Sequence, residues 1–207
     1  MKTMTEQLEA VLAAAGGERP LCAFLKSNPY LLIESLNYLG NPSRVISEFP
    51  LGTECYADFM VVAPFSGAIE VLLIEVEPPS MSLFNQDGTL SKRANKALEQ
   101  VNSWNTYIRK NRQQFLRDLE RYSKEKDLIR EHPEDEKLTC TAGLDIHNSH
   151  ISIYPNFGIL MGRRSFLNEA MLEKKSEFKN NCDVSLMSCD RLFAGARKMD
   201  LSPDVYD

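Results

Sequence analysis

Two apolar segments joined by a short turn decide the fold: YADFMVVA at 56–63 and AIEVLLIEVE at 68–77, with PFSG at 64–67 between them. Both segments are rich in β-branched and aromatic residues, and the turn contains proline and glycine, so the pattern predicts two antiparallel strands joined as a hairpin. The run VLLI at 71–74 is apolar on both faces, which is typical of a central strand covered on both sides. Pro78 and Pro79 end the second strand because neither can donate a ladder hydrogen bond.

Three carboxylates lie at the open end of this hairpin. If the turn is centred on the SG pair, Asp58 lies opposite Glu75, and directly opposed residues share a face with Cβ atoms about 5 Å apart. Glu77 follows two positions later, so it lies on the same face. Carboxylates that continue a buried strand repel one another and are costly to desolvate, and a bound divalent cation would remove both costs. Since Mg²⁺ prefers oxygen ligands, Asp58 and Glu75 are candidate metal ligands, with the Val76 carbonyl beside them.

The rest of the chain predicts helices around a sheet. The pattern indicates an N-terminal helical segment at 1–44 and a main domain at 45–207, together an α/β or α+β fold with a central mixed sheet flanked by helices. The predicted helices lie at 5–15, from Pro20 onward, at 30–39, at 91–131 and at 165–180. The predicted further strands lie at 45–51, 139–144, 151–154, 157–161 and 183–187.

Composition is that of an ordinary soluble globular protein, with 43% hydrophobic and 26% charged residues. No apolar stretch approaches the about 18 residues that a membrane helix needs, and the first residues predict a short amphipathic helix rather than a signal-peptide core, so no membrane association is expected. Five dispersed cysteines without a CxxC pair predict reduced thiols and a cytoplasmic location. The net charge of −5 is unusual for a nucleic-acid binder, although metal-binding carboxylates contribute to it.

Several short motifs together carry a family resemblance. Asp58, the run IEVEP at 74–78 and a following helix that bears Gln100 resemble the PD-(D/E)XK nuclease superfamily. More closely, the chain resembles the DUF4263 domain of the Shedu anti-phage defence nucleases, over roughly residues 20–195. Supporting stretches are FLKSNP at 24–29, YADF at 56–59, ALEQV at 97–101 with Trp104, and GILMGRR at 158–164.

This resemblance implies a PD-(D/E)XK nuclease-like fold and a deoxyribonuclease that hydrolyses DNA phosphodiester bonds with Mg²⁺ or Mn²⁺. It further implies a cytoplasmic homo-oligomer, a dimer or tetramer, that protects bacteria against phage. The implied catalytic residues are Asp58, Glu75, Glu77 and Gln100, with Asp58 and Glu75 as metal-binding acids. A solvent-facing helix glutamine is the alternative interpretation of Gln100.

The chain departs from the superfamily motif at Glu77, where a lysine normally activates the attacking water and stabilises phosphate charge. Glu77 could bind a second metal ion or act as a general base. A basic residue early on the next helix could instead replace the lysine. As a further alternative, the domain is a catalytically degenerate module that binds nucleic acid or a protein partner.

Basic residues at the start of the helix after the hairpin are candidate DNA contacts, because cationic side chains there can bind phosphate groups close to the acidic site. These residues are Lys92, Arg93 and Lys96. They are also the candidates to replace the missing lysine. The alternative is a charged helix face in contact with solvent, and we prefer that interpretation for the basic residues from Arg109 onward.

Overall fold

The computed structural model describes residues 2–14, 16–36, 44–53, 55–129 and 137–206. Within these ranges the chain forms one five-stranded mixed sheet and seven α-helices, which confirms the predicted α/β class. The strands are β1 (Arg44–Leu51), β2 (Cys55–Phe65), β3 (Ala68–Val76), β4 (Ser152–Leu160) and β5 (Val184–Met187). The helices are α1 (Met4–Ala13), α2 (Arg19–Ser27), α3 (Tyr30–Ser35), α4 (Lys92–Lys110), α5 (Arg112–Glu125), α6 (Glu169–Cys182) and α7 (Leu192–Leu201). One-turn 3₁₀ helices lie at Arg164–Phe166, Cys189–Arg191 and Pro203–Val205.

The strands follow one another in chain order across the sheet. β1, β2 and β3 are antiparallel neighbours, whereas β4 is parallel to β3 and β5 is parallel to β4. The β2–β3 ladder pairs Phe65 with Ala68 at the turn and Phe59 with Ile74 at its far end. This is the predicted register, and carrying it one residue further sets Asp58 opposite Glu75.

Each face of the sheet carries its own hydrophobic core. One core packs the sheet against α4, α5 and α6, and its largest fully buried side chains include Trp104, Phe49 and Phe115. The other packs the sheet against α1, α2, α3 and α7, with Leu8 and Leu25 fully buried. The N-terminal helices therefore cover one face of the sheet, while a domain boundary near residue 44 stays a prediction. Among the described residues, no helix is both long and apolar enough to cross a membrane.

The predicted single helix at 91–131 is wrong, because it is two helices that break at Asn111. Asn111 has φ −125° and ψ 40°, outside the helical region, and its side-chain amide donates to the Tyr107 carbonyl at 3.1 Å. Asparagine competes with helical hydrogen bonding through such local contacts. The break lets α5 pack along β1, where Phe115 meets Phe49 edge to face.

β4 joins two predicted strands, at 151–154 and 157–161, into one that contains Pro155. β5 pairs only with Phe157–Leu160, so Pro155 has a neighbouring strand on one side, β3, where a missing N–H is tolerated. The predicted strand at 139–144 is wrong: it contains only an isolated bridge between Thr139 and Asp145. A local turn accounts for this, since the Gly143 amide bonds to the Cys140 carbonyl at 2.9 Å.

Two helices differ from the predictions. The helix predicted at 30–39 ends at Ser35, and its predicted stop at 40–42 lies outside the described residues. α7 was not predicted, because Gly195 stands in its middle and weakens the helical pattern. The structure explains that glycine: a Cβ there would lie 2.8 Å from the Leu31 carbonyl oxygen, so a side chain would push α7 away from α3.

Candidate functional site

Asp58 lies where β2 separates from β3. Beyond the Phe59–Ile74 pair, its Oδ2 accepts a hydrogen bond from the Val76 backbone N–H at 2.8 Å, so the carboxylate takes the place of a ladder partner. Opposite Asp58 on β1, Glu48 adopts a left-handed φ of 51°. Burial raises the pKa of Asp58 above its ordinary value, and the hydrogen bond from Val76 offsets only part of that effect.

Glu75 is the next carboxylate, near the end of β3, and its side chain meets α4. Gln100 on α4 donates from Nε2 to Glu75 Oε2 at 2.9 Å. Burial, followed by the negative charges of Asp58 and Glu77, raises the pKa of Glu75 to about 9. A divalent cation beside Glu75 would favour the ionised form of its carboxyl group. The solvent-facing alternative for Gln100 is less favoured, because its amide is bound to a candidate metal ligand.

Glu77 is almost fully buried, with 3% of its surface exposed. Its amide donates to the Leu160 carbonyl at 2.8 Å, and its Oε2 accepts a hydrogen bond from Arg93 Nε. Arg93 Nη2 also lies 3.6 Å from Glu18 Oε2. Burial raises the pKa of Glu77, and the hydrogen bond and positive charge of Arg93 oppose that rise. One predicted basic residue thus contacts the predicted acidic cluster directly.

The sequence did not reveal that α2 borders this site. Cys22 and Lys26 of α2, with Glu48 of β1, line a cleft of about 320 Å³ that reaches Asp58. Lys26 Nζ forms an ion pair with Glu48 Oε1 at 2.5 Å. Burial, followed by the charge of Asp58, raises the pKa of the Cys22 thiol to about 12, so the thiol is neutral. The one sequence signal was that Lys26 falls within the FLKSNP stretch of the family resemblance.

The donor set fits a hard divalent cation. Among the described residues, no three His, Cys, Asp or Glu side chains are placed to hold a metal ion together. Asp58 and Glu75 instead offer two carboxylates, and Mg²⁺ usually binds one or two protein carboxylates plus waters and substrate phosphates. The Val76 carbonyl, between the two glutamates, stays a predicted ligand.

The remaining candidate residues lie on the first turns of α4. Lys92 and Lys96 are exposed, and with Arg93 they line a cleft of about 970 Å³ that Met81 and Phe84 also line. Arg93 lines this cleft and also forms an ion pair with Glu77, so the cleft borders the carboxylates. Trp104, further along α4, is fully buried and belongs to the core.

A mixed five-stranded sheet flanked by helices, with carboxylates at the end of its central hairpin, is consistent with a nuclease-like α/β fold. Residues 17–193 match the model of a protein family described as Shedu protein SduA, C-terminal. The chain therefore belongs to the Shedu family, and this membership supports a role in antiviral defence. No curated protein matches the chain.

Proposed function

We propose that this chain is a Mg²⁺- or Mn²⁺-dependent deoxyribonuclease of the PD-(D/E)XK type, a hydrolase that cuts DNA phosphodiester bonds in defence against phage. The observation that carries the proposal is the pair of half-buried carboxylates, Asp58 and Glu75, at the ends of neighbouring strands. Both have raised pKa values, first because burial disfavours the charged form and then because other carboxylates lie nearby, which is typical of acidic groups gathered at a functional site. The family assignment supports the defence role.

Asp58, Glu75 and the Val76 carbonyl would hold the metal ion. When bound, the ion would polarise the scissile phosphate and lower the pKa of a coordinated water. The hydrogen bond from Val76 N–H fixes one oxygen of Asp58, which leaves the other for coordination. Gln100 holds Glu75 by its Oε2 and so orients the second carboxylate.

Arg93 supplies the positive charge that the motif lysine would bring. Glu77 is too buried and too closely paired to be a free general base, because its Oε2 is bound to the Arg93 guanidinium. The same contact holds Arg93 beside the carboxylates, where two-fifths of its side chain is still exposed to an incoming phosphate. We therefore favour Arg93 as the substitute for the lysine and Glu77 as the residue that positions it. A Glu77→Lys exchange should abolish cleavage, because a lysine would repel Arg93; gained activity would contradict this role.

Lys92 and Lys96, in the cleft beside Arg93, would bind the DNA backbone next to the cut. Binding through these residues should weaken steeply with salt, since each neutralised phosphate releases counterions. A shallow dependence of DNA affinity on salt concentration would contradict this assignment.

The test is incubation of the protein with linear, nicked and circular DNA in Mg²⁺, Mn²⁺ or EDTA. We expect cleavage that needs the metal ion and falls by on the order of 100-fold or more in Asp58→Asn and Glu75→Gln, since even residues that only orient metal ligands are worth 10- to 100-fold. Glu70→Gln is the matched control: Glu70 lies on the same strand, its Oε1 accepts from Asn156 at 2.7 Å, and glutamine can keep that bond.

The results separate the proposal from its alternative. DNA binding without cleavage in any metal would select the catalytically degenerate module that binds nucleic acid or a protein partner. Equal cleavage by the wild type and by Asp58→Asn would move the active site elsewhere. The presence of Glu77 where the motif has a lysine is the observation that favours the catalytically degenerate module.

The resemblance also leads us to propose a homo-oligomer, a dimer or tetramer, located in the cytoplasm. Five dispersed cysteines without a CxxC pair are typical of a protein in a reducing compartment. Sedimentation of the purified protein, with and without DNA, would determine the number of subunits.

A further inference from the structure

The segments that follow β3, β4 and β5 meet at one end of the sheet, beyond the carboxyl ends of these strands. The Gly162 amide, after β4, donates to the Pro78 carbonyl, after β3, at 3.4 Å. The Cys189 amide, after β5, donates to the Gly162 carbonyl at 2.8 Å. The carboxyl ends of three parallel strands thus lie side by side, which is where open α/β sheets bind ligands.

A basic cleft of about 420 Å³ opens at this end of the sheet, beside β5. Its lining contains four cationic side chains and one carboxylate: Arg164, Lys175, Arg191, Arg197 and Asp190. The carboxylate is already engaged, because Asp190 Oδ1 accepts from Arg163 Nε at 3.1 Å and Oδ2 accepts from the Arg164 amide at 2.5 Å. The cleft is therefore strongly positive within a chain whose net charge is −5.

Lys175 is the side chain that makes this cleft more than a charged surface. It lies partly buried on α6 and lines the cleft together with Arg164 and Arg191. Burial lowers the pKa of Lys175, and the positive charges of Arg191 and Arg164 lower it further. An anion in the cleft would offset both the desolvation and the repulsion. A cleft lined by charges of one sign raises the local concentration of oppositely charged ligands, and a partly buried ionisable group with a shifted pKa in such a cleft marks a candidate functional site.

We propose that this cleft is a phosphate-binding site, separate from the carboxylate cluster, which binds the phosphate group of a DNA strand or of a free nucleotide. Guanidinium groups match the oxygens of phosphate in paired hydrogen bonds, and a lysine adds a compact charge. Ser188, immediately after β5, lines the cleft with a hydroxyl donor. β3 and β5 lie two strands apart and run in the same direction, so the carboxylates near the end of β3 and this cleft lie at the same end of the sheet. The case of a bound DNA strand rests on the proposed nuclease function.

The experiment measures binding in EDTA, where no metal-dependent cleavage occurs, so its result does not depend on nuclease activity. The probes are inorganic phosphate, deoxyadenosine monophosphate, and a short single-stranded oligonucleotide with and without a 5′-phosphate. The variant Lys175→Met keeps the length of the side chain and removes its charge. Lys179→Met, one turn later on α6 and outside the cleft, is the matched control.

We expect Lys175→Met to weaken binding of at least one probe by about 10-fold or more, as for the loss of a charge-assisted hydrogen bond, with Lys179→Met close to the wild type. Weakened binding of the monophosphate identifies a nucleotide site, and weakened binding of the oligonucleotide alone identifies a DNA contact. Arg197→Met, on the exposed side of α7, repeats the test if Lys175→Met does not fold. Equal binding of every probe by the cleft variants and the control would overturn the proposal.

Discussion

Removing the Arg93 guanidinium should destabilise the fold by an amount set by the burial of Glu77. In Arg93→Met the Glu77 side chain, 4% exposed, keeps its place but loses the donor to its Oε2. Breaking a fully buried ion pair costs about 3–5 kcal/mol, whereas an exposed pair is worth at most about 1 kcal/mol. Since the Arg93 side chain is 41% exposed, we expect an intermediate loss of about 2 kcal/mol in the free energy of unfolding.

Urea denaturation at neutral pH in EDTA measures this loss without contributions from bound metal. Lys96→Met, an exposed charge three residues further along α4, is the matched control and should change stability by less than about 0.5 kcal/mol. The double variant with Glu77→Gln added to Arg93→Met removes the buried carboxylate that has lost its partner, and should recover most of the free energy of unfolding. If Arg93→Met is no more destabilised than Lys96→Met, the buried pair is not what holds Arg93 at the site.

Two further predictions concern the packing of α7. Gly195→Ala should destabilise the protein by about 1–3 kcal/mol in thermal or urea unfolding, because the new Cβ meets the Leu31 carbonyl; an unchanged midpoint would contradict the close helix contact. Asp200 joins α7 to α1, because its carboxylate accepts hydrogen bonds from the Thr5 hydroxyl at 2.5 Å and from the amides of Thr5 and Met4. Partial burial opposes the ionisation of Asp200, but these hydrogen bonds outweigh burial and lower its pKa. A lowered folded pKa adds stability at pH values above the unfolded pKa near 4, and this stability is lost as pH falls through the folded pKa. Asp200→Asn should therefore be less stable than the wild type at pH 7, and the difference should shrink as pH falls below about 4; a difference that does not depend on pH would refute this.

The hairpin and its carboxylates could be predicted because the deciding signals are local. The turn at 64–67 fixes the register, and the strand period of two then places the acidic residues. The structure keeps that register from Phe65 to Phe59. It adds that β2 leaves the ladder at Asp58, whose carboxylate bonds to Val76. Nothing in an alternating pattern marks such a point of separation.

Other features could not be predicted because they depend on contacts between distant segments. Glu77 and Arg93 are separated by a loop in the sequence, and only the packing of α4 on the sheet brings Arg93 Nε to the carboxylate. The packing of α2 beside Asp58 is likewise a tertiary result. α7 could not be predicted because Gly195 is a poor helix residue. The structure needs glycine there for the close contact between α7 and α3. These tertiary contacts override the conformational preferences of the local sequence.

The central claim is that Asp58 and Glu75 bind one divalent cation between them. Calorimetric titration of Mn²⁺ into the wild type, Asp58→Asn, Glu75→Gln and the control Glu70→Gln tests it without reference to DNA cleavage. We predict one binding site per chain in the wild type and in Glu70→Gln, with affinity reduced by about 10-fold or more in the other two variants. Equal Mn²⁺ affinity in all four proteins would contradict the claim.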